Sequence, residues 1–144
     1  MLSVKSIEAK DTYFIRKRIL RDNRSDLSVD FEGDDNEGTL HFGFFEAKKL
    51  IGISSYMPAS NPEFKGAQYQ LRGMAFLEPY QGKGLGAKLL TFGIEKLQEM
   101  DVDICWCNAR TPAVSFYRRR GFQTFGNTFT IENAGPHIVM YKNL

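Results

Sequence analysis

The chain has 144 residues, 42% of them hydrophobic, with 19 basic and 17 acidic side chains and a formal net charge of +2. That is one domain with one core, residues 1–144, and too little chain for a two-domain enzyme. Near-balanced charge argues against a nucleic-acid binder, and no apolar run of about 18 residues is present to cross a membrane. An N-terminus charged every few residues lacks an apolar leader, which points to the cytoplasm.

Val4 to Glu8 predicts a short strand, and Asp11-Thr12 a cap for a helix to about Leu20 with Phe14, Ile15, Arg18 and Ile19 on its mixed apolar face. Arg21 to Gly38 has little periodicity and carries Asp22, Asp26, Asp30, Glu32, Asp34, Asp35 and Glu37. Such a run is a solvated face or, functionally, a rim attracting a cationic acceptor. Three strands follow without a helix between them: Thr39 to Glu46, Leu50 to Met57 and Gln68 to Leu77. Short connections make them antiparallel neighbours.

The period then changes. Gly84 to Met100 predicts a helix with Leu85, Leu89, Leu90, Gly93, Ile94, Leu97 and Met100 on one side. Val102 to Asn108 is a strand, and Pro112 to Arg120 a short helix with proline in its first turn and Gly121 at its end. Phe122 to Ile131 and His137 to Lys142 are the final strands. The expected fold is mixed α/β (α+β), a mostly antiparallel sheet of six to seven strands flanked by helices. Exposed strand edges leave room for a homodimer. Cys105 and Cys107 alternate on a strand, at or beyond disulfide reach, and a lone C-x-C makes no metal site. They read as two small side chains on one strand face. Trp106 and the phenylalanines read as core.

Gln81-Gly82-Lys83-Gly84-Leu85-Gly86-Ala87 stands between a strand and a helix. Glycine permits positive φ and close approach of a ligand to the backbone, and the helix start offers free N–H groups and a positive dipole end. Together they predict an anion site, with phosphate the usual occupant. The P-loop pattern is absent. The dinucleotide fingerprint does match at Gly82, Gly84 and Ala87, with Asp101 or Asp103 at about the right distance. Its context is wrong, because a meander precedes it and too little chain follows for repeated strand–helix units.

The third option is coenzyme A. Gln81, Gly84 and Gly86 resemble the acyl-CoA signature Q/R-x-x-G-x-G/A of the GNAT superfamily of N-acyltransferases. Asn108 to Tyr117, followed by Gly121-Phe122, is similar to the family's later strand, short helix and glycine-aromatic pair, and the element order matches over nearly the whole chain. Leu71-Arg72-Gly73-Met74-Ala75, Trp106 to Arg110 and Gly135-Pro136-His137 look similar to an uncharacterised bacterial subgroup. Where many members place an asparagine seven residues before the tyrosine, this chain has Arg110, with Asn108 nearby.

The resemblance implies acetyl-CoA as acyl donor, an amine-bearing acceptor and no metal. It implies that Gln81, Gly82, Lys83, Gly84, Leu85, Gly86 and Ala87 cradle the pyrophosphate. Met74, Ala75 and Phe76 would line the pantetheine arm in a splay between two strands, with Asn108 and Arg110 also facing the coenzyme. Tyr117 matches the general acid that protonates the leaving thiolate. The resemblance implies a base that is a glutamate before the glycine turn or a chain of waters; Glu78 is the nearest acid, or else a solvated turn carboxylate. Arg72, in a central strand, either pairs with an acid of the 26–37 segment or faces the acceptor; the latter implies a carboxylate or phosphate beside the amine. His137 is a structural hydrogen-bonder or an acceptor-site residue, and so is His41. Arg118-Arg119-Arg120 suits a helix end, or reaches the 3′-phosphate. The alternative function is a non-catalytic acyl-CoA-binding module on the same fold.

Overall fold

A computed structural model describes residues 1–144. Seven strands form one sheet in the order β1-β2-β3-β4-β5-β7-β6. They are β1 (Leu2–Ser6), β2 (Leu40–Glu46), β3 (Lys49–Pro58), β4 (Gln68–Phe76), β5 (Ile104–Arg110), β6 (Gln123–Ile131) and β7 (Gly135–Asn143). All neighbours are antiparallel except β4 and β5, which the helix α2 (Leu85–Glu99) joins as a crossover. Helix α1 covers residues 9–20, and α3 is Val114–Arg119 after a 3-10 turn at Thr111–Ala113.

The helices divide between the two sheet faces. Leu85, Leu89, Leu90, Ile94 and Leu97 recur at helical spacing on α2 and pack on Phe42, Ile51, Leu71, Cys105 and Cys107. Ile15 of α1 packs on the other face with Ile53, Ala75 and Leu77. Both cysteines are free and buried, as expected. Gly93 is needed inside α2, since a Cβ there would lie 2.2 Å from the Tyr56 hydroxyl.

The first helix departs from expectation. It begins at Ala9, with Asp11 as its third residue accepting from the Glu8 amide at 2.9 Å, and it ends as a π turn over Arg16–Leu20. Its buried stripe is Thr12, Ile15 and Arg16, while Phe14 is 71% exposed and Arg18 faces solvent. An arginine therefore occupies the core-facing position expected of an apolar residue. Trp106 is buried as expected, its indole N–H on the Ala59 carbonyl, but Phe129 as well as Phe14 is exposed.

Two irregularities shape the middle of the sheet. The β4–β5 ladder stops at Gln70 and Trp106, although the strands run on to Phe76 and Arg110. The two strands therefore splay apart. In the β3–β4 ladder, Ile53 pairs with Ala75 and Ser55 with Arg72, so Gly73 and Met74 together oppose Ser54. This is a bulge in β4, and Gly73 sits there at φ +63. A side chain at Gly73 would also meet the Phe31 ring at 2.9 Å.

Candidate active site

A cleft of about 420 Å³ opens between the splayed ends of β4 and β5. Arg72 and Met74 line it from β4, Asn108 and Arg110 from β5, Tyr117 from α3 and His137 from β7. Six of the residues singled out in the sequence thus meet in one opening. Sheet parity sorts them. Leu71, Cys107 and Ala109 belong to the core under α2 and α3, and Tyr117 packs against that core. Arg72, Asn108 and Arg110 are one residue out of step, so they face the α1 side. His137 is paired directly with Arg110 and shares that face.

The Tyr117 hydroxyl makes no hydrogen bond within the chain, and its ring is held edge-on by Phe116 and tilted against Phe122. Burial, with a smaller contribution from Cys107 and Cys105, pushes its pKa far above the ordinary tyrosine value. Burial also pushes the thiol of Cys107, which lines the same cleft, up to about 12. His137 is 5% exposed, and its Nδ1 lies 2.8 Å from the Gly135 carbonyl. A carbonyl can only accept, so Nδ1 carries a hydrogen, and in the neutral ring the lone pair is on Nε2. No group of the chain bonds Nε2.

The glycine turn lies past the end of β4. Gln81 donates through Nε2 to the Phe76 carbonyl at 2.8 Å, which ties the turn to the strand end. Ala75 and Phe76 are buried at that end. Gly82 and Gly84 have φ of +75 and +78, and a Cβ on either would meet nothing within 4 Å. Gly84 is the N-cap of α2, and no side chain caps the helix. The amides of Gly82, Lys83, Gly84, Leu85, Gly86 and Ala87 find no acceptor in the chain. Such a row at a helix start, with open space above its glycines, fits a pyrophosphate.

The sequence profile of the Acetyltransferase (GNAT) family matches residues 3–122. The chain belongs to the GNAT acetyltransferase family. It is 43% identical over 145 residues to YitI of Bacillus subtilis (strain 168), named an uncharacterized N-acetyltransferase, covering 100% of this chain and 97% of that one. An acyl-CoA N-acyltransferase from Pseudomonas aeruginosa shares the fold at a TM-score of 0.81 and 16% identity, with 99% of each chain covered. So does an aminoglycoside 6′-N-acetyltransferase solved with coenzyme A, at 0.76 and 11%, over 98% of this chain and 96% of that one. The chain is thus an acetyltransferase of a family that uses acyl-CoA.

Other residues of this GNAT chain stand apart from the cleft. Glu78 is exposed and bonds Arg18 at 2.9 Å, and that hydrogen bond is the main reason its pKa is lowered. It is a paired turn carboxylate. His41 is structural: its Nδ1 lies 2.7 Å from the Ser55 hydroxyl and its Nε2 3.0 Å from the Asp34 carbonyl. Asp34 is no part of a solvated face. It is 6% exposed and holds Arg16, itself 0% exposed, through two bonds of 2.7 and 2.9 Å. Arg16, not Arg72, takes the acid of the 26–37 segment. Arg118 and Arg119 are exposed, and the Arg120 carbonyl accepts from Lys142.

Arg21 and Phe31 also line the cleft, and neither was singled out in the sequence. Phe31 is the sole aromatic residue between Phe14 and Phe42, and a lone aromatic amid acids is the signal that marks it.

Proposed function

We propose that the chain transfers an acetyl group from acetyl-CoA to a primary amine by direct attack within a ternary complex. The observation that carries this is the unpartnered Tyr117 hydroxyl in the β4–β5 opening, alongside the row of unbonded amides from Gly82 to Ala87. Bound acetyl-CoA supplies a thioester carbonyl for attack and a sulfur that leaves.

The amides of the glycine turn receive the pyrophosphate, and the splayed edge of β4 at Met74 to Phe76 receives the pantetheine arm. A backbone N–H freed near the bulge polarises the carbonyl, a contribution of about 3–4 kcal/mol where such donors are pre-aimed. The amine must be neutral, yet at a pKa near 10.4 only about one in 2,500 is uncharged at pH 7. His137 Nε2 is the base. It lines the cleft, and the Gly135 carbonyl on Nδ1 leaves Nε2 as the nitrogen that bears the lone pair in the neutral ring. As the nitrogen–carbon bond forms and the carbon–sulfur bond breaks, His137 takes the amine proton. Tyr117 gives its own to the departing sulfur, and solvent then resets both. A tyrosine held well above its usual pKa is a weaker acid, but it keeps its proton until charge develops on the departing sulfur.

A covalent route through Cys107 is disfavoured. With its thiol near 12, about one molecule in 100,000 is thiolate at pH 7, and no cation lies beside it. Free thiols suit a reducing compartment, consistent with a cytoplasmic enzyme.

Titration of the protein with acetyl-CoA by calorimetry tests this, with Gly84→Glu as control. Binding should weaken at least tenfold in the variant, because an L side chain strains the positive φ and a carboxylate enters the anion site. Mixing acetyl-CoA with amines should then release free CoA thiol. A folded wild-type protein that binds no acetyl-CoA overturns the proposal.

A further inference from the structure

The α1 side of the cleft is crowded with positive charge. The Phe31 ring is flanked by three guanidinium groups, with Arg16 at 3.8 Å, Arg72 at 4.6 Å and Arg21 at 5.3 Å from its centroid. Arg16 is neutralised by Asp34 behind the ring. The others are not. Arg72 hydrogen-bonds only the Glu32 carbonyl, at 3.5 Å, and Arg21 only the Ser28 carbonyl, at 3.0 Å. Arg110 makes no ion pair or hydrogen bond through its side chain. Arg21, Arg72 and Arg110 all line the cleft, and no Asp or Glu does. Glu32 and Asp34 are the acids near Arg72, and Asp34 is already taken.

These arginines disturb one another. Burial lowers the pKa of Arg72, and the charge of Arg16, then Arg21, lowers it further against the pull of Asp34 and Glu32. Arg21 is lowered by burial, then by Arg110 and Arg16. Packing unpaired like charges against one opening is unfavourable unless an anion joins them. The coenzyme's phosphates have their own receptor at the glycine turn, past the end of β4. Sheet parity puts Arg72 and Arg110 on the α1 face, beside His137 rather than beside Tyr117.

We infer that the acceptor is a small amine bearing an anionic group, carboxylate or phosphate, which Arg72 and Arg110 receive with Arg21 at the mouth of the cleft. This rests on the acetyltransferase reading above. The guanidinium fork grips a planar carboxylate or a phosphate in two bonds, and the amine then lies toward His137. Polyamines and other purely cationic amines are repelled, the opposite of an acidic rim attracting them.

The test uses protein saturated with CoA, so that the glycine turn is occupied. Butyrate and inorganic phosphate are titrated separately while the Nε–H signals of ¹⁵N-labelled arginines are followed. Arg72 and Arg110 signals should shift with at least one probe, and Arg72→Met should abolish the response. A shift with butyrate alone assigns a carboxylate, and with phosphate alone a phosphate ester. No shift with either, or displacement of CoA by the probe, overturns the inference. Matched acceptors give the second measurement: leucine against leucinamide, phosphoethanolamine against ethanolamine, with spermidine as the cationic control. The anionic member of at least one pair should be favoured tenfold or more in kcat/KM, and Arg72→Met should erase that preference while the CoA dissociation constant stays within twofold. Acetyl transfer that favours the neutral member or spermidine sinks the anion receptor and leaves the acetyltransferase intact. A tenfold loss of CoA affinity in Arg72→Met or Arg110→Met assigns the arginines to the coenzyme instead.

Discussion

Asp34→Asn is the sharpest probe of how the fold supports the cleft. The side chains of Arg16 and Asp34 are 0% and 3% exposed, and Arg16 also donates to the Val29 carbonyl and the Ser55 hydroxyl. The network is directional. Arg16 donates to Ser55, His41 Nε2–H donates to the Asp34 carbonyl, and with the His41 ring neutral Ser55 donates to its Nδ1. Removing the carboxylate charge strands a buried guanidinium, which costs about 3–5 kcal/mol. For a domain of this size about 3 °C of Tm accompanies each kcal/mol, so Asp34→Asn should melt about 10–15 °C lower. Arg16→Met/Asp34→Leu removes both charges and should lose less than Asp34→Asn alone. Acid behaviour gives an independent check. Burial opposes the Asp34 charge, but the Arg16 hydrogen bonds, the Phe31 amide and the Arg16 charge outweigh it, and the pKa is lowered. Its share of stability is therefore present above the unfolded value near 3.9 and lost as pH falls through the folded value. Asp34→Asn should flatten that acid limb. Urea and thermal unfolding measured across pH read both effects. A Tm drop below about 3 °C, with the acid limb unchanged, would show that the pair is hydrated and refute the reasoning.

Three further outcomes follow from named contacts. Tyr117→Phe should lower kcat about 10²–10⁴-fold with acetyl-CoA binding retained, measured by thiol release and calorimetry. Because burial raises the Tyr117 pKa, the wild-type rate should not fall between about pH 8 and 10; a descending limb there that vanishes in the variant contradicts the assignment. Cys107→Ser should keep kcat within a few-fold, and a loss of about 10³ or more would restore a covalent route. Gly93→Ala drives a methyl to 2.2 Å from the buried Tyr56 hydroxyl and should destabilise by about 1–3 kcal/mol in urea unfolding, against the slight gain expected of alanine in an open helix.

What the sequence disclosed was what depends on period and local chemistry. Strand alternation, the α2 stripe and the glycine turn are each set by neighbours within a few residues, and they stand close to expectation, though β1 is Leu2–Ser6 rather than Val4 to Glu8 and β5 is Ile104–Arg110 rather than Val102 to Asn108. The Arg16–Asp34 pair was hidden because its members are 18 residues apart, one in a helix stripe that reads as mixed and one in a segment without period. A cation in register with Thr12 and Ile15 was the available clue. The start of α1 was misplaced because Asp11 and Thr12 both favour helix starts; Asp11 serves from the third position instead, reaching back to Glu8. The sides taken by Arg72 and Arg110 follow from strand parity, but parity fixes a face only once the bulge at Gly73 is located, and a glycine within a strand marks it.

The placement of the cleft follows from one topological fact. β4 and β5 form the sheet's single parallel pair, so a crossover helix must begin where β4 ends. That puts the positive end of α2 past the end of β4, whose splayed half lines the opening. The same two strands are joined by three register positions only, so their far ends separate and admit a ligand through the sheet. Tyr117 on the α3 side and His137, Arg72 and Arg110 on the α1 side then line the same opening from opposite faces. In the proposed reaction this keeps the acid, Tyr117, and the base, His137, apart, with no hydrogen bond between them. If longer pairing of β4 with β5 were imposed, for instance by a disulfide linking Arg72→Cys and Asn108→Cys, which continue the Gln70–Trp106 register on one face, acetyl-CoA binding should disappear on oxidation while the fold is kept. Retention of binding in the oxidised variant would show that the arm does not pass between these strands.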